Sequence, residues 1–214
     1  MNIKSFRPSY LGPRLRQLAF CRRFPDAPWL TEAAVNLLDS WLKPTDVGLE
    51  WGSGRSTAWL SRRMSHLTSI EADRSWYEEV QRRLEKADLL GKTDYRHIAC
   101  EFKEVDEPQS HPYADAAGEM ADGSLDFCLV DGHIRATCFE AVLPKIKPGG
   151  LLALDNANRY IPNRLLGEFA TVHEPRAEPR TARWSKLIEQ VSGWRAIHTT
   201  DKLWDTRFWV RPCQ

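Results

Sequence analysis

The chain has 214 residues, of which 42% are hydrophobic and 28% are charged. This composition excludes disorder for most of the chain and suits a single α/β domain that buries roughly 70% of its unfolded-state surface. Lys and Arg (30 residues) nearly balance Asp and Glu (29 residues), and the net charge of +1 excludes an overall field that would attract nucleic acid or an anionic membrane.

The chain begins with a basic and aromatic stretch, residues 1–40, which we interpret as a cap or lid segment before a domain over residues 41–214. Arginines interleaved with aromatic residues would also suit nucleic acid. Prolines interrupt the stretch, among them Pro8, Pro13 and Pro25, and we therefore favour the cap over a nucleic-acid interface.

From residue 46 onward, short apolar strands alternate with helical patterns, which is typical of a parallel sheet with crossover helices. Strands are predicted over 46–51, 67–72, 93–100, 125–131 and 150–156, and helices over 56–64, 75–90 and 136–147. The polar stretch 101–124 has no periodicity, and we predict a loop on the substrate side. Two final strands, 193–200 and 206–212, are joined by a short link that suits an antiparallel hairpin.

The segment LEWGSGRST, residues 49–57, runs from a strand through a glycine turn into a helix. A dinucleotide-binding fingerprint would place a third glycine where Thr57 stands, and a carboxylate such as Glu50 would repel a pyrophosphate. Glu50 instead complements a ligand that carries ammonium and sulfonium charge. S-adenosylmethionine is such a ligand, and a nicotinamide oxidoreductase is disfavoured.

A second carboxylate, Glu71, ends the next predicted strand, nineteen residues after Gly52. A carboxylate at that position can accept hydrogen bonds from both hydroxyls of a ribose. The pattern therefore predicts an adenosine-bearing ligand, with a plain tight turn as the alternative.

Residues 46–156, together with the closing hairpin, resemble a class I S-adenosylmethionine-dependent methyltransferase. The resemblance implies a Rossmann-like α/β fold: a seven-stranded, mostly parallel sheet with an antiparallel C-terminal hairpin and helices on both faces. It also implies that the glycine motif lines the methionine part, that Glu71 holds the ribose, and that residues after the second and third strands flank the adenine. The cofactor-binding residues predicted in this way are Glu50, Trp51, Gly52, Ser53, Gly54, Ser56, Glu71, Ala72, Ala99, Cys100 and Asp131.

Three oxygen-bearing side chains follow strands four and five: Asp131 in VDGHIR, and Asp155 and Asn156 in LDNANRY. Neighbouring strands lie about 5 Å apart, and an oxygen-only site with two carboxylates suits Mg²⁺. The arrangement resembles the metal site of cation-dependent, catechol-type O-methyltransferases. The lysine base of that family is replaced here by Ile134. In the alternative without a metal, both aspartates cap helices or contact the substrate.

The nearest proton acceptor to the proposed cleft is His133, which we predict as a catalytic base together with Asp131. A loop histidine that bonds the backbone is the alternative. Basic residues near the same cleft would favour an anionic acceptor, unless they form a solvated surface. They are Arg135, Arg159, Arg176, Arg180, Arg183 and Lys186.

These observations predict a methyltransferase that moves a methyl group from S-adenosylmethionine to an oxygen or nitrogen of a small-molecule acceptor. The alternatives are an enzyme that transfers another part of the cofactor, and a non-catalytic module that binds an adenosine ligand or a partner. No apolar run has the length of a membrane span, and the N-terminus lacks the apolar stretch of a secretion signal. We therefore expect a cytoplasmic protein without a membrane partner, whose five scattered cysteines are free thiols.

Overall fold

A computed structural model describes residues 8–101, 110–163, 171 and 176–213. Its α-helices are α1 (Pro8–Arg23), α2 (Glu32–Trp41), α3 (Arg55–Ser61), α4 (Arg74–Lys86), α5 (Pro112–Asp115), α6 (Arg135–Val142) and α7 (Ala182–Gln190). Its strands are β1 (Val47–Trp51), β2 (His66–Glu71), β3 (Thr93–His97), β4 (Leu125–Val130), β5 (Ile146–Leu154), β6 (Arg195–Thr200) and β7 (Asp205–Val210). Short 3₁₀ turns cover Leu90–Lys92, Ala116–Glu119, Leu143–Lys145 and Ala157–Arg159.

Across the described residues the strands form a seven-stranded sheet in the order β3-β2-β1-β4-β5-β7-β6. The first five strands pair in parallel, while β7 pairs antiparallel with both β5 and β6. The predicted parallel sheet and its antiparallel hairpin are thus confirmed. The strand order reverses between β1 and β4, and in open α/β sheets the ligand crevice lies outside the carboxyl ends of the strands at such a switch point.

Helices cover both faces of the sheet. On one face, Leu38 of α2 and Leu60 of α3 pack with sheet residues such as Phe127. On the other face, Phe139 of α6 and Trp184 of α7 pack edge to face at 5.6 Å within a second core. The predicted boundary between cap and domain, at residue 40, lies near the end of α2, whose inner residues belong to the first core.

The largest difference from the predicted elements lies around the sequence Pro148-Gly149-Gly150. We expected a helix to residue 147 and a strand from residue 150, but α6 ends at Val142 and β5 already begins at Ile146. Pro144 cannot donate the backbone hydrogen bond that would continue the helix. The glycine turn is a bulge inside β5, where Gly149 has φ +79° and its amide donates to the carbonyl of Arg211 at 2.8 Å.

The stretch predicted as a substrate-side loop is partly helical. Residues 102–109 of it lie outside the described residues, as do residues 1–7 of the predicted cap. Helix α5 and the following 3₁₀ turn place Tyr113, Ala114 and Ala117 in the core with no exposed surface. All five cysteines are free, as predicted. No helix among the described residues has the length and apolarity needed to span a membrane.

Candidate cofactor-binding site

The chain turns sharply between β1 and α3 at Gly52, Ser53 and Gly54. Gly52 has φ +89°, and a Cβ atom at this position would lie 2.8 Å from the backbone of Asp131. Only glycine tolerates both this backbone conformation and such a close approach. The Gly52 amide also donates to the carbonyl of Ile70 at 2.9 Å. The turn therefore draws the carboxyl ends of β1, β2 and β4 together.

Glu50 is fully buried on β1, two residues before the turn. Its Oε2 atom accepts hydrogen bonds from the hydroxyls of Thr57 and Ser69, each at 2.7 Å. Its Oε1 atom is buried and has no hydrogen-bond partner among the described residues. Burial raises the pKa of Glu50 to about 7, against the opposing effect of the neighbouring hydroxyls. A buried carboxylate with an unpartnered oxygen suits a cationic ligand group and disfavours a phosphate.

Glu71, at the end of β2, is only 6% exposed and is bonded through both oxygens. Its Oε2 atom accepts from the amide and the hydroxyl of Ser53, at 2.9 and 2.7 Å. Its Oε1 atom accepts from the amides of Ala72 and Asp73, at 2.8 and 2.9 Å. These donors fill the roughly four acceptor positions of a carboxylate. A ribose hydroxyl can bond Glu71 only by displacing one of them, and the Ser53 hydroxyl is the one that can rotate away.

Aromatic side chains that the motifs did not reveal surround Ser53. The indole of Trp76 on α4 donates to the Ser53 carbonyl at 2.8 Å, and the Tyr95 hydroxyl on β3 lies 2.7 Å from the Ser53 hydroxyl. Tyr95 stacks on Tyr77 with 4.5 Å between ring centroids. In the sequence, these residues show only the apolar spacing of a helix and a strand. Their position beside the glycine turn follows from the pairing of β3 with β2.

The remaining predicted cofactor residues lie at the same sheet edge, with one exception. Ala72 follows β2, while Ala99, which is exposed, and Cys100, which is buried, follow β3. Ser56 is buried at the start of α3. The exception is the side chain of Trp51: its ring is fully buried in the core, and its indole donates to the carbonyl of Tyr113 at 2.7 Å.

A cleft of about 250 Å³ lies in front of the glycine turn. Its walls contain Asp131 and residues of the glycine turn. They also contain two residues from the segment before α2 and two arginines. Its lining consists of Trp29, Leu30, Ser53, Gly54, Arg55, Ser56, Trp76, Arg83 and Asp131. Arg55 lies over the ring of Trp29 at 5.2 Å and Arg83 over that of Trp76 at 5.3 Å. A larger cleft of about 540 Å³, between α1, α2 and the end of α3, contains none of the predicted site residues.

Asp131, immediately after β4, forms an ion pair with Arg135. The Nη2 atom of Arg135 lies 2.8 Å from Oδ1 of Asp131 and 2.7 Å from the Asp131 carbonyl. The Asp131 side chain is 29% exposed at the cleft, whereas that of Arg135 is 10% exposed. Burial raises the pKa of Asp131, and the Arg135 guanidinium opposes that shift.

Asp155 and Asn156 follow β5, as predicted, but their oxygens point to protein donors. Oδ1 of Asp155 accepts from the Thr206 hydroxyl at 2.6 Å, and Oδ2 accepts from the Asn156 side-chain amide at 2.8 Å. Burial raises the pKa of Asp155 well above its usual range, and the Asp131 charge adds to the shift. Among the described residues, no group of three or more His, Cys, Asp or Glu side chains is arranged to hold a metal ion. An Mg²⁺ ion bound by Asp155 would have to displace the Thr206 hydroxyl and the Asn156 amide from its carboxylate.

His133 lies in the loop after β4 and is exposed. Its ring packs edge to face with Tyr113 at 6.3 Å between centroids. The next residue, Ile134, has φ +37°, and Asn156 after β5 has φ +47°. A left-handed conformation is costly for a β-branched residue and is concentrated at functional sites. Both left-handed positions, of which Ile134 is the strained one, lie at the carboxyl ends of β4 and β5, beside the predicted acceptor side.

Two of the arginines expected near an anionic acceptor, Arg176 and Arg183, have structural partners. Arg183 on α7 donates to Glu140 at 2.6 Å and to Thr137 at 2.9 Å, which joins α7 to α6. Arg176 donates to the carbonyl of Arg159 at 2.6 Å. The sequence pattern could not separate these contacts from a ligand site, because it does not show which basic residues meet an acceptor within the chain.

Comparisons with known proteins agree with this geometry. A family model described as a methyltransferase domain matches residues 49–157, just over half of the chain. The chain therefore belongs to the methyltransferase domain family, and the predicted class, an S-adenosylmethionine-dependent methyltransferase, is confirmed. A search of curated proteins found no match.

Solved structures share the fold at low sequence identity. A putative caffeoyl-CoA O-methyltransferase from Staphylococcus aureus is 14% identical, with a TM-score of 0.59, over 95% of this chain and 98% of that one. A methyltransferase-like protein from Silicibacter pomeroyi is 22% identical, with a TM-score of 0.55, over 88% of this chain and 91% of that one. A methyltransferase from Geobacter sulfurreducens is 12% identical, with a TM-score of 0.55, over 99% of this chain and 94% of that one.

Proposed function

We propose that this chain binds S-adenosylmethionine across the carboxyl ends of β1, β2 and β4 and transfers its methyl group to an oxygen or nitrogen of a small-molecule acceptor. The observation that carries the proposal is the pair of buried carboxylates, Glu50 and Glu71, on adjacent strand ends that flank one glycine turn. Glu50 complements the positive charge of the methionine part, and Glu71 complements the hydroxyls of the ribose.

The methionine part fits the cleft in front of the turn. The Nη1 atom of Arg55 is buried and has no hydrogen-bond partner among the described residues. A carboxylate is the natural partner of a guanidinium, and the methionine part carries one. With Glu50 close in sequence on the preceding strand, the site offers both signs of charge to an amino acid zwitterion.

The adenosine part extends toward β2 and β3. The Ser53 hydroxyl would turn from Glu71 toward Tyr95, its other neighbour, and leave an acceptor position for a ribose hydroxyl. Ala72, Ala99 and Cys100 lie beyond these strand ends, where we place the adenine. Their small side chains leave room for a planar ring.

The transfer is an in-line displacement at the methyl carbon. A lone pair on the acceptor oxygen or nitrogen forms the new bond to carbon, while the carbon–sulfur bond breaks and its electron pair stays on sulfur, giving S-adenosylhomocysteine. The acceptor proton passes to Asp131 or His133 and then to water. The main contribution of the chain is to hold the two reactants in line, as expected for a reaction between bound partners.

Arginines at the cleft favour an acceptor that carries a carboxylate or a phosphate. Arg83 lies on the rim beside Trp76, and Trp29, which is 66% exposed, covers the opposite side. An aromatic wall and a guanidinium suit a planar anionic molecule. The proposed acceptor class is therefore small aromatic acids whose hydroxyl or amino group accepts the methyl group.

The experiment is an assay of S-adenosylhomocysteine release, with and without S-adenosylmethionine. The acceptors are a panel of small aromatic acids that carry a hydroxyl or an amino group. We expect acceptor-dependent release in the wild type and a large loss in Asp131→Asn, while Asp122→Asn, on an exposed loop aspartate, serves as the matched control. Cofactor binding without release for any acceptor would favour the non-catalytic module. A product that carries a different part of the cofactor would favour the other transferase.

A further inference from the structure

The guanidinium of Arg135 fills the space between the carboxyl ends of β4 and β5. Nη2 donates to the carbonyl and carboxylate of Asp131, Nε donates to the carbonyl of Gly132 at 3.0 Å, and Nη1 donates to the carbonyl of Asp155. Nη2 also lies 3.5 Å from Oδ1 of Asn156. One buried cation thus contacts all three residues that the sequence predicted as metal ligands.

The same residues have little capacity left for a metal ion. Both carboxylate oxygens of Asp155 accept hydrogen bonds, from Thr206 and Asn156. Oδ1 of Asp131 is paired with Arg135. A divalent cation bound here would have to displace these donors and lie beside a buried positive charge, whose repulsion is strong where water is excluded.

We propose that Arg135 takes the place of a metal ion: its guanidinium supplies the positive charge between β4 and β5, positions the Asp131 carboxylate at the cleft, and makes the chain independent of divalent cations. This inference rests on the proposed function only for the role of the cleft, since the exclusion of metal follows from the contacts of Arg135 themselves. Arg135 is a positioning residue, because it acts through Asp131 and its side chain is not part of the cleft lining.

Two features distinguish this role from a purely structural one. The planar guanidinium of Arg135 donates to one carboxylate and three backbone carbonyls. A metal ion at this point would have to hold the same oxygens together as its ligands. The Cζ atom of Arg135 also lies 5.6 Å from the centroid of the Tyr160 ring. An aromatic ring stabilises a cation without neutralising its charge. We therefore expect the exclusion of metal ions from this site to depend on the positive charge of the Arg135 side chain as well as on its shape.

The experiment is a titration of the full-length protein with Mn²⁺, followed by electron paramagnetic resonance of the free ion, for the wild type, Arg135→Lys and Arg135→Met. We expect no saturable site in the wild type or in Arg135→Lys, which keeps the charge. We expect Arg135→Met to bind Mn²⁺ at least about tenfold more tightly than the wild type, because oxygens of Asp131 and Asp155 become available to an ion that needs only one or two carboxylates.

A saturable Mn²⁺ site in the wild type that is lost in Asp131→Asn would overturn the proposal. So would the absence of binding in a folded Arg135→Met protein, or equal binding in the Lys and Met variants. If Arg135→Met does not fold, the wild type and Asp131→Asn decide the matter alone. Calorimetry with S-adenosylhomocysteine on the same wild-type sample keeps the two proposals apart: lack of binding there contradicts the proposed function, whereas Mn²⁺ binding contradicts the role of Arg135.

Discussion

The hydroxyl of Ser53 donates a 2.7 Å hydrogen bond to Oε2 of Glu71, the same oxygen that accepts the Ser53 amide at 2.9 Å. The chain thereby occupies, with one of its own hydroxyls, a position that a ribose hydroxyl needs. Release of this hydroxyl costs little, because the Tyr95 hydroxyl lies 2.7 Å away on its other side. Glu71 is thus held ready for a ligand without an unpaired buried charge.

Replacement of Glu71 by Gln should weaken S-adenosylhomocysteine binding by about 1.5 to 3 kcal/mol, the usual range for hydrogen bonds to a charged group. The amide keeps the shape of the side chain but loses one acceptor oxygen. Titration calorimetry measures the difference, with the exposed Glu85→Gln on α4 as the matched control. Equal affinities in a folded Glu71→Gln protein would place the ribose elsewhere.

Ser53→Ala should leave the affinity for S-adenosylhomocysteine unchanged or raise it by up to about threefold, because the ligand no longer competes with a weak internal hydrogen bond. The Ser53 amide still bonds Glu71 and holds its orientation. The same calorimetric titration tests this expectation. A clear loss of affinity would mean that the hydroxyl itself contacts the ligand.

Binding of S-adenosylmethionine should release protons through Glu50. The pKa of Glu50 is about 7 in the free protein, and a bound cationic group should lower it. Affinity should therefore increase from pH 6 to pH 7.5, and binding at pH 7 should release about half a proton. Calorimetry in buffers with different ionisation enthalpies measures the release. Glu50→Gln should show none, and an equal release in that variant would assign the proton to another group.

Glu50 should also destabilise the free protein as the pH rises. Its pKa is raised by burial from 4.5 to about 7, so the folded state binds the proton more tightly than the unfolded state. The stabilising contribution is complete below pH 4.5 and is lost as the pH rises through 7, a change on the order of 3 kcal/mol. Urea unfolding at pH 5 and pH 8 should show this loss in the wild type relative to Glu50→Gln. A constant difference between the two proteins would contradict the shift.

Gly132→Ala should lower the free energy of unfolding by about 1 to 3 kcal/mol, the usual cost of overpacking. A Cβ atom at this position would lie 2.0 Å from the Tyr113 hydroxyl. Tyr113→Phe removes that hydroxyl and should restore most of the loss in the double variant. Gly118→Ala is the matched control, because a Cβ atom there meets no atom within 4 Å. A double variant as unstable as Gly132→Ala would show that the clash involves other atoms.

The parallel sheet, its antiparallel hairpin and the glycine turn could be predicted because each depends on local patterns of period, glycine spacing and link length. Glu50 and Glu71 are found in the same way, since strand ends place them at one edge of the sheet. The bulge around Gly149 could not be predicted, because Pro-Gly-Gly ordinarily ends a strand. Strand β5 continues through this turn, because the backbones of Gly149 and Gly150 form hydrogen bonds with Arg211, which is distant in sequence.

The predicted metal site shows a different limit. The sequence places Asp131, Asp155 and Asn156 correctly at neighbouring strand ends, but it does not show that Arg135, one helical turn beyond Asp131, folds back between them. The same limit applies to Trp29, whose place beside Arg55 depends on how α2 packs. Residues that complete a site from outside its motif become visible only once the chain is folded.

The most direct measurement is a calorimetric titration of the wild-type protein with S-adenosylhomocysteine, followed by one with NAD under the same conditions. S-adenosylhomocysteine carries the ammonium, the carboxylate and the ribose that Glu50, Arg55 and Glu71 complement. We predict saturable one-to-one binding of S-adenosylhomocysteine with a micromolar dissociation constant, which corresponds to a binding free energy of about −8 kcal/mol. We predict no binding of NAD. Saturable binding of NAD without binding of S-adenosylhomocysteine would contradict the assignment of this cleft.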